Sequence, residues 1–222
     1  MHFLSHYYYE LPAKSPLFVA GLGIPDLASG FSKTYNSVIK NSVLPNNKDL
    51  QQIHSGILSH YEADKAFHNS SVFMNLLSLT TQSFLKQGLN RDRLRLSVIS
   101  HLAVELMIDR QILIENEQIC VDYYTLLNEA DEALLSVYLS AFLPESPKQE
   151  FLIKFRLFKQ RRFLFLFTDL KNIVEGLNRI YQRVAKVEFT EDEKINLFNA
   201  LNNIDSTIRY SWKEILNAHV YE

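Results

Sequence analysis

At 222 residues with 47% apolar content, the chain has the size of one large domain and enough apolar surface for a sizeable core. A formal net charge of −2 excludes a global electrostatic pull towards nucleic acid or an anionic membrane. The single cysteine, Cys120, excludes an intrachain disulfide and a thiolate zinc site.

The opening MHFLSHYYYELPAK lacks the basic start and apolar run of a signal peptide. No uninterrupted apolar run reaches the roughly 18 residues of a membrane span. The expectation is a soluble, cytoplasmic protein.

Residues 1–12 read as a brief helix or an ordered arm ending at Pro12. Ser15-Pro16 starts a helix with Pro at its first position. That helix is expected to stop early, because Gly21, Gly23 and Pro25 break the pattern and leave a turn displaying Asp26. Gly30 then precedes a helix to about Lys40. Asn46-Asn47 caps a helix over 48–68, and Ser70-Ser71 separates it from one over 72–87 that ends at Gly88. Asn90 caps the central helix, 94–113, which is apolar on almost every side and therefore expected to be buried all round.

Helical spacing continues over 119–142 and stops at Pro144. Ser146-Pro147-Lys148-Gln149 starts a long aromatic helix, which runs towards Lys186 with a break near Gly176. Thr190-Glu191-Asp192-Glu193 is a capping box for the last helix. No stretch alternates as a strand does, and no linker interrupts the chain. The pattern predicts a single all-α domain over residues 1–222, with about eight helices.

Inside the apolar central helix, His101, Glu105 and Asp109 recur every four residues and so share one face. Burying an imidazole and two carboxylates in line is costly without a partner. His60, Asp64 and His68 repeat the pattern on the preceding helix. A lone His is more often a core histidine, and a lone carboxylate more often part of a solvated face. Two such triplets together point to a divalent metal held between facing helices. Mixed imidazole and carboxylate donors suit Mn, Fe, Zn or Mg and argue against Ca. His54 lies off the His60 face, and His219 near the C-terminus is expected to be exposed.

Four short motifs resemble the bacterial acyl carrier protein phosphodiesterases, a family of HD-domain-like helical hydrolases. They are Met1-x-Phe3-Leu4-x-His6-x-Tyr8, Gly21-x4-Asp26-x3-Gly30, Gly56-Ile57-x2-His60-x3-Asp64 and Glu105-x3-Asp109. The likeness covers roughly residues 1–115. It implies an HD-like bundle and a Mn-type hydrolase that releases 4′-phosphopantetheine from holo-acyl carrier protein. It also implies that His6 and Asp26 join His60, Asp64, His68, His101, Glu105 and Asp109 as ligands. Tyr61 stands where the family has Arg, His68 and Glu105 where it has Asp, and Arg110 where it has His.

On this reading Asp64 serves the metal-assisted chemistry, while Arg110 or Lys65 neutralises the phosphate. The competing readings are a non-hydrolytic, iron-binding helical protein and a carrier-protein-binding module without catalysis. Lys154, Arg156, Lys159, Arg161 and Arg162 interleave with Phe151, Phe155, Phe158, Phe163, Phe165 and Phe167. An acidic carrier protein could dock on that basic edge, although an aromatic core face with a solvated rim is the simpler reading. Cys120 lies far in sequence from any His, which disfavours thiol catalysis. Gly21-x-Gly23 lacks the context of a phosphate-binding loop.

Overall fold

The computed structural model describes residues 1–12, 15–28, 38, 39, 41, 42 and 45–217. Among them the fold is all-α, without a strand. The helices are α1 (Phe3–Tyr9), α2 (Pro16–Leu27), α3 (Lys48–Asn69), α4 (Ser71–Lys86), α5 (Leu96–Glu115), α6 (Glu117–Glu129), α7 (Glu132–Ser140), α8 (Glu145–Arg161), α9 (Leu170–Ala185) and α10 (Glu191–Asn217). A 3-10 helix, Phe163–Thr168, joins α8 to α9. No helix among the described residues is long and apolar enough to cross a membrane. His219, and the expected helix from Gly30 to Lys40 apart from Val38 and Ile39, lie outside the described residues.

The chain divides into two compact units. One comprises His6–Lys65 and Gln118–Phe163. Here α2 does not stop at its glycines but continues to Leu27, with Pro25 inside it. The glycines serve a close helix crossing instead. A Cβ on Gly21 would lie 2.3 Å from the Ile53 carbonyl oxygen, and one on Gly56 would lie 2.2 Å from that of Phe18. Only glycine permits two backbones to approach so closely. Ser15 caps α2 through the Phe18 amide, and Asn47 caps α3 through the amides of Asp49 and Leu50.

The stretch expected as one helix over 119–142 is two helices, α6 and α7. Asp131 accounts for the break, because its carboxylate accepts from the amides of Ala133 and Leu134 and starts α7 afresh. Phe151, Phe155 and Phe158 of α8 are buried with Tyr123 and Tyr124 of α6. The aromatic face is thus core.

The other unit comprises Met1–Ser5, Ala66–Glu117 and Leu164–Glu222. Its centre is α5, where Ile99, Ala103, Val104, Met107, Ile108 and Ile112 have no accessible surface. Helices α4, α9 and α10 surround α5. Trp212 of α10 is buried, and its indole N–H donates to Glu115 at 3.0 Å. The break expected near Gly176 is absent. The chain turns earlier, through Arg162 in left-handed conformation (φ 44°) and the 3-10 helix, and Asp169 then caps α9. Gly176 sits within α9, beside Phe167 and Leu106. Thr190 and Glu193 form the expected reciprocal capping box of α10.

Candidate metal centres

The first group of ligand-type residues lies within the unit of His6–Lys65 and Gln118–Phe163. The glycine crossing brings α2 against α3, so that the Leu22 carbonyl meets the His60 ring. His60 Nδ1 donates to that carbonyl at 2.9 Å. A carbonyl only accepts, so Nδ1 carries the proton and neutral His60 presents a bare lone pair at Nε2. Burial, with His6 alongside, holds the His60 pKa well below the usual imidazole value, so the neutral form prevails. A backbone carbonyl behind the ring is the usual support of a metal-binding histidine.

Nε2 of His60 faces Asp64 Oδ2 at 3.6 Å, across one turn of α3. Burial works against the Asp64 charge, yet His6 and His60 hold this carboxyl below the usual carboxylate range. A lone pair thus faces an ionised carboxylate. That juxtaposition is repulsive until a cation or a proton enters it.

His6, only 1% exposed, stacks on His60 with ring centroids 3.7 Å apart. Its Nε2 lies 3.4 Å from Asp64 Oδ1, an ion-pair contact without a formed hydrogen bond. Its Nδ1 has no hydrogen-bond partner among the described residues. Asp26, on the last turn of α2, completes the group: one ligand atom each from His6, Asp26 and His60 lie within 4.8 Å of one another. Two imidazoles with carboxylates at hand, and a buried imidazole nitrogen without a partner, fit a divalent first-row ion.

The second group lies within the other unit and joins His68, at the end of α3, to His101 and Glu105 of α5. Glu105 Oε1 accepts from the Met1 α-ammonium at 2.8 Å and lies 3.1 Å from Nε2 of both His68 and His101. Burial opposes its charge, but the ammonium and the two imidazoles hold its pKa well below the usual value. The triplet His60, Asp64 and His68 is therefore shared out, its first two members to one group and its third to the other.

Asp109 stands outside both groups. Wholly buried, it accepts from the amides of Leu4 and Ser5, from the Ser5 hydroxyl at 2.7 Å and from His2 Nδ1 at 2.8 Å. It caps α1, and four donors leave it little capacity for an ion. Arg110 is also committed, since it pairs with Asp205 at 2.5 Å while the Gln111 side chain donates to the same carboxylate. Lys65 is exposed. His54 is buried off the ligand face and bonds Tyr138. Cys120 is buried and forms no disulfide.

On the basic edge, Arg156 and Lys159 both pair with Glu132, at 2.6 and 2.8 Å, and Lys159 also covers the Phe155 ring. The residues that sequence reasoning missed are the Leu22 carbonyl and Met1. A backbone acceptor and an α-ammonium carry no side-chain signature.

Compared with known proteins, the chain matches no family model, no curated protein and no solved structure.

Proposed function

We propose that the chain is a divalent-metal-dependent phosphodiesterase of HD-like helical fold, with His6, Asp26, His60 and Asp64 holding the ion. The observation that carries this reading is the His60 ring. Its Nδ1–H is tied to Leu22, and its bare Nε2 is aimed at an ionised carboxylate beside His6, whose Nδ1 has no hydrogen-bond partner among the described residues. A bound divalent ion, Mn first among the candidates, supplies Lewis acidity that polarises a phosphoryl oxygen and acidifies water.

The chain's own residues perform the rest. Leu22 holds the His60 tautomer, and Asp64, kept ionised, is available to accept a proton at its carboxylate. Lys65, exposed next to Asp64 in sequence, is the cation left to neutralise phosphate, since Arg110 is committed to Asp205.

The motif likeness supports a holo-acyl carrier protein as the diester substrate. The pairing of Arg156 and Lys159 with Glu132 leaves the basic edge less charge for docking an acidic protein. The iron-binding alternative rests on the same donors, because two His and one carboxylate also suit non-haem Fe(II).

Metal analysis of the purified chain, followed by assay with added Mn2+ on bis-p-nitrophenyl phosphate and on holo-acyl carrier protein, tests the reading. Release of 4′-phosphopantetheine, lost in Asp64→Ala and His60→Ala variants that still fold, is the expected result. Cleavage of the small diester alone retains the chemistry and discards the carrier-protein substrate. Iron with an optical band, and neither diester cleaved with Mn2+, Fe2+, Zn2+ or Mg2+, overturns the phosphodiesterase.

A further inference from the structure

The group at Glu105 takes no part in the chemistry proposed above, yet its geometry is that of a ligand set. His68 Nε2 and His101 Nε2 converge on one oxygen, Glu105 Oε1, each at 3.1 Å. Bonds of about 2.1 Å to nitrogen and oxygen, at angles between octahedral and tetrahedral, separate neighbouring ligand atoms by roughly 3.0–3.4 Å. Both observed edges fall in that interval. All three ligand atoms lie within 4.8 Å of one another.

The rings are held in this aim by aromatic packing. Buried Phe73 meets His68 and His101 edge-on, with centroids 5.2 Å away in each case, and Phe67 meets His68 at the same separation. Preorganisation of this kind removes part of the ordering cost of binding.

Charge and access point the same way. Glu105 is buried and held ionised, so the oxygen at the focus is a fixed negative charge. The Met1 α-ammonium, 2.8 Å away, shows that a cation is accommodated on that oxygen. The side chains of His68 and His101 are 32% and 37% exposed, which leaves the group open to solvent. His101 also lines an open surface cavity of about 400 Å³, formed with Leu77, Ser97, Val98 and Leu102.

We propose that His68, His101 and Glu105 form a second divalent-cation site, independent of the His6–His60 group and selective for a first-row transition ion over Mg2+ or Ca2+. Two imidazoles and one carboxylate set that preference, because imidazole suits Zn2+, Fe2+ or Co2+ far better than it suits the hard ions. Binding replaces the ammonium on Glu105 Oε1 and requires a bare lone pair at both Nε2 atoms.

Calorimetric titration of the chelator-stripped full chain with Zn2+ tests the site without reference to activity. Wild type should take up two ions, and the His68→Gln/His101→Gln double variant one. Glu105→Gln should weaken the affected class at least ten-fold. His60→Ala should also take up one ion, the class that the double variant lacks. Co2+ gives an independent readout, as a component of the visible d–d spectrum that the double variant lacks and His60→Ala retains.

An unchanged stoichiometry and Co2+ spectrum in the folded double variant overturn the proposal, and so does a wild type that binds no ion. A wild type that binds one ion, lost in the double variant but not in His60→Ala, upholds this site and removes the metal from the His6–His60 group. The reverse pattern removes this site alone.

Discussion

The imidazoles of His6 and His60 lie face to face, centroids 3.7 Å apart and planes 18° from parallel. Burial, with the His6 ring alongside, holds the His60 pKa well below the usual imidazole value, so this ring is neutral near neutral pH. The Leu22 carbonyl already makes Nδ1 of His60 the protonated nitrogen of the neutral ring. What remains is the bare Nε2 of His60, facing the ionised Asp64 carboxylate at 3.6 Å. That donor arrangement is compatible with a divalent cation.

The glycine crossing that delivers the Leu22 carbonyl makes the first prediction. Gly56→Ala places a methyl 2.2 Å from the Phe18 carbonyl oxygen, and Gly21→Ala places one 2.3 Å from that of Ile53. Both neighbours are backbone, so the helices themselves must separate. Each variant should lose about 3 kcal/mol or more of stability in urea unfolding. Gly23→Ala is the control, since its new methyl would meet Tyr123 Oη at an ordinary 3.5 Å. It should be neutral or gain up to about 1 kcal/mol from helix propensity. Equal losses in all three would mean that the crossing is not close-packed.

Sequence spacing reveals the helices more readily than their use. The buried α5 and the capping boxes are legible because periodicity and caps are local chemistry. The Gly21, Gly23 and Pro25 cluster reads as a breaker, since nothing local reveals that Gly56, far along the chain, is its partner. The i, i+4, i+8 triplets correctly mark His60, Asp64, His68, His101 and Glu105 as sharing faces. Spacing within one helix says nothing of what faces it from another. Asp109 therefore reads as a ligand when it is the cap of a helix more than a hundred residues earlier. His6 and Asp26 have no periodic signal, and only the motif likeness directed attention to them.

Asp109 separates a structural carboxylate from a ligating one. Asp109→Ala leaves the two buried amides of Leu4 and Ser5 without this acceptor, while the Ser5 hydroxyl keeps only the His2 carbonyl. A loss of roughly 3 kcal/mol in urea unfolding is expected. The number of Zn2+ ions bound by the folded fraction should match wild type. A variant that keeps its stability but loses one ion would return Asp109 to the ligand set.

His54 sets the last expectation, a pH dependence that needs no metal. It is buried, and its Nδ1 lies 2.6 Å from the Tyr138 hydroxyl, while burial lowers its pKa and raises that of the phenol. In the unfolded chain an imidazole titrates near pH 6.5. Above that pH His54 is neutral in both states, and its contribution to stability is fully present. As pH falls through about 6.5 the unfolded chain takes up the proton first, so stability declines until the folded-state pKa is reached. His60 acts in the same direction, whereas the depressed carboxyls of Asp64, Glu105 and Glu132 enter only below about pH 4.5. Urea midpoints with a chelator present, between pH 7.5 and 5, should therefore fall for wild type. They should fall less for His54→Phe, which fills the same space without a titrating group. An identical slope in the folded variant would place the pH dependence elsewhere in the chain.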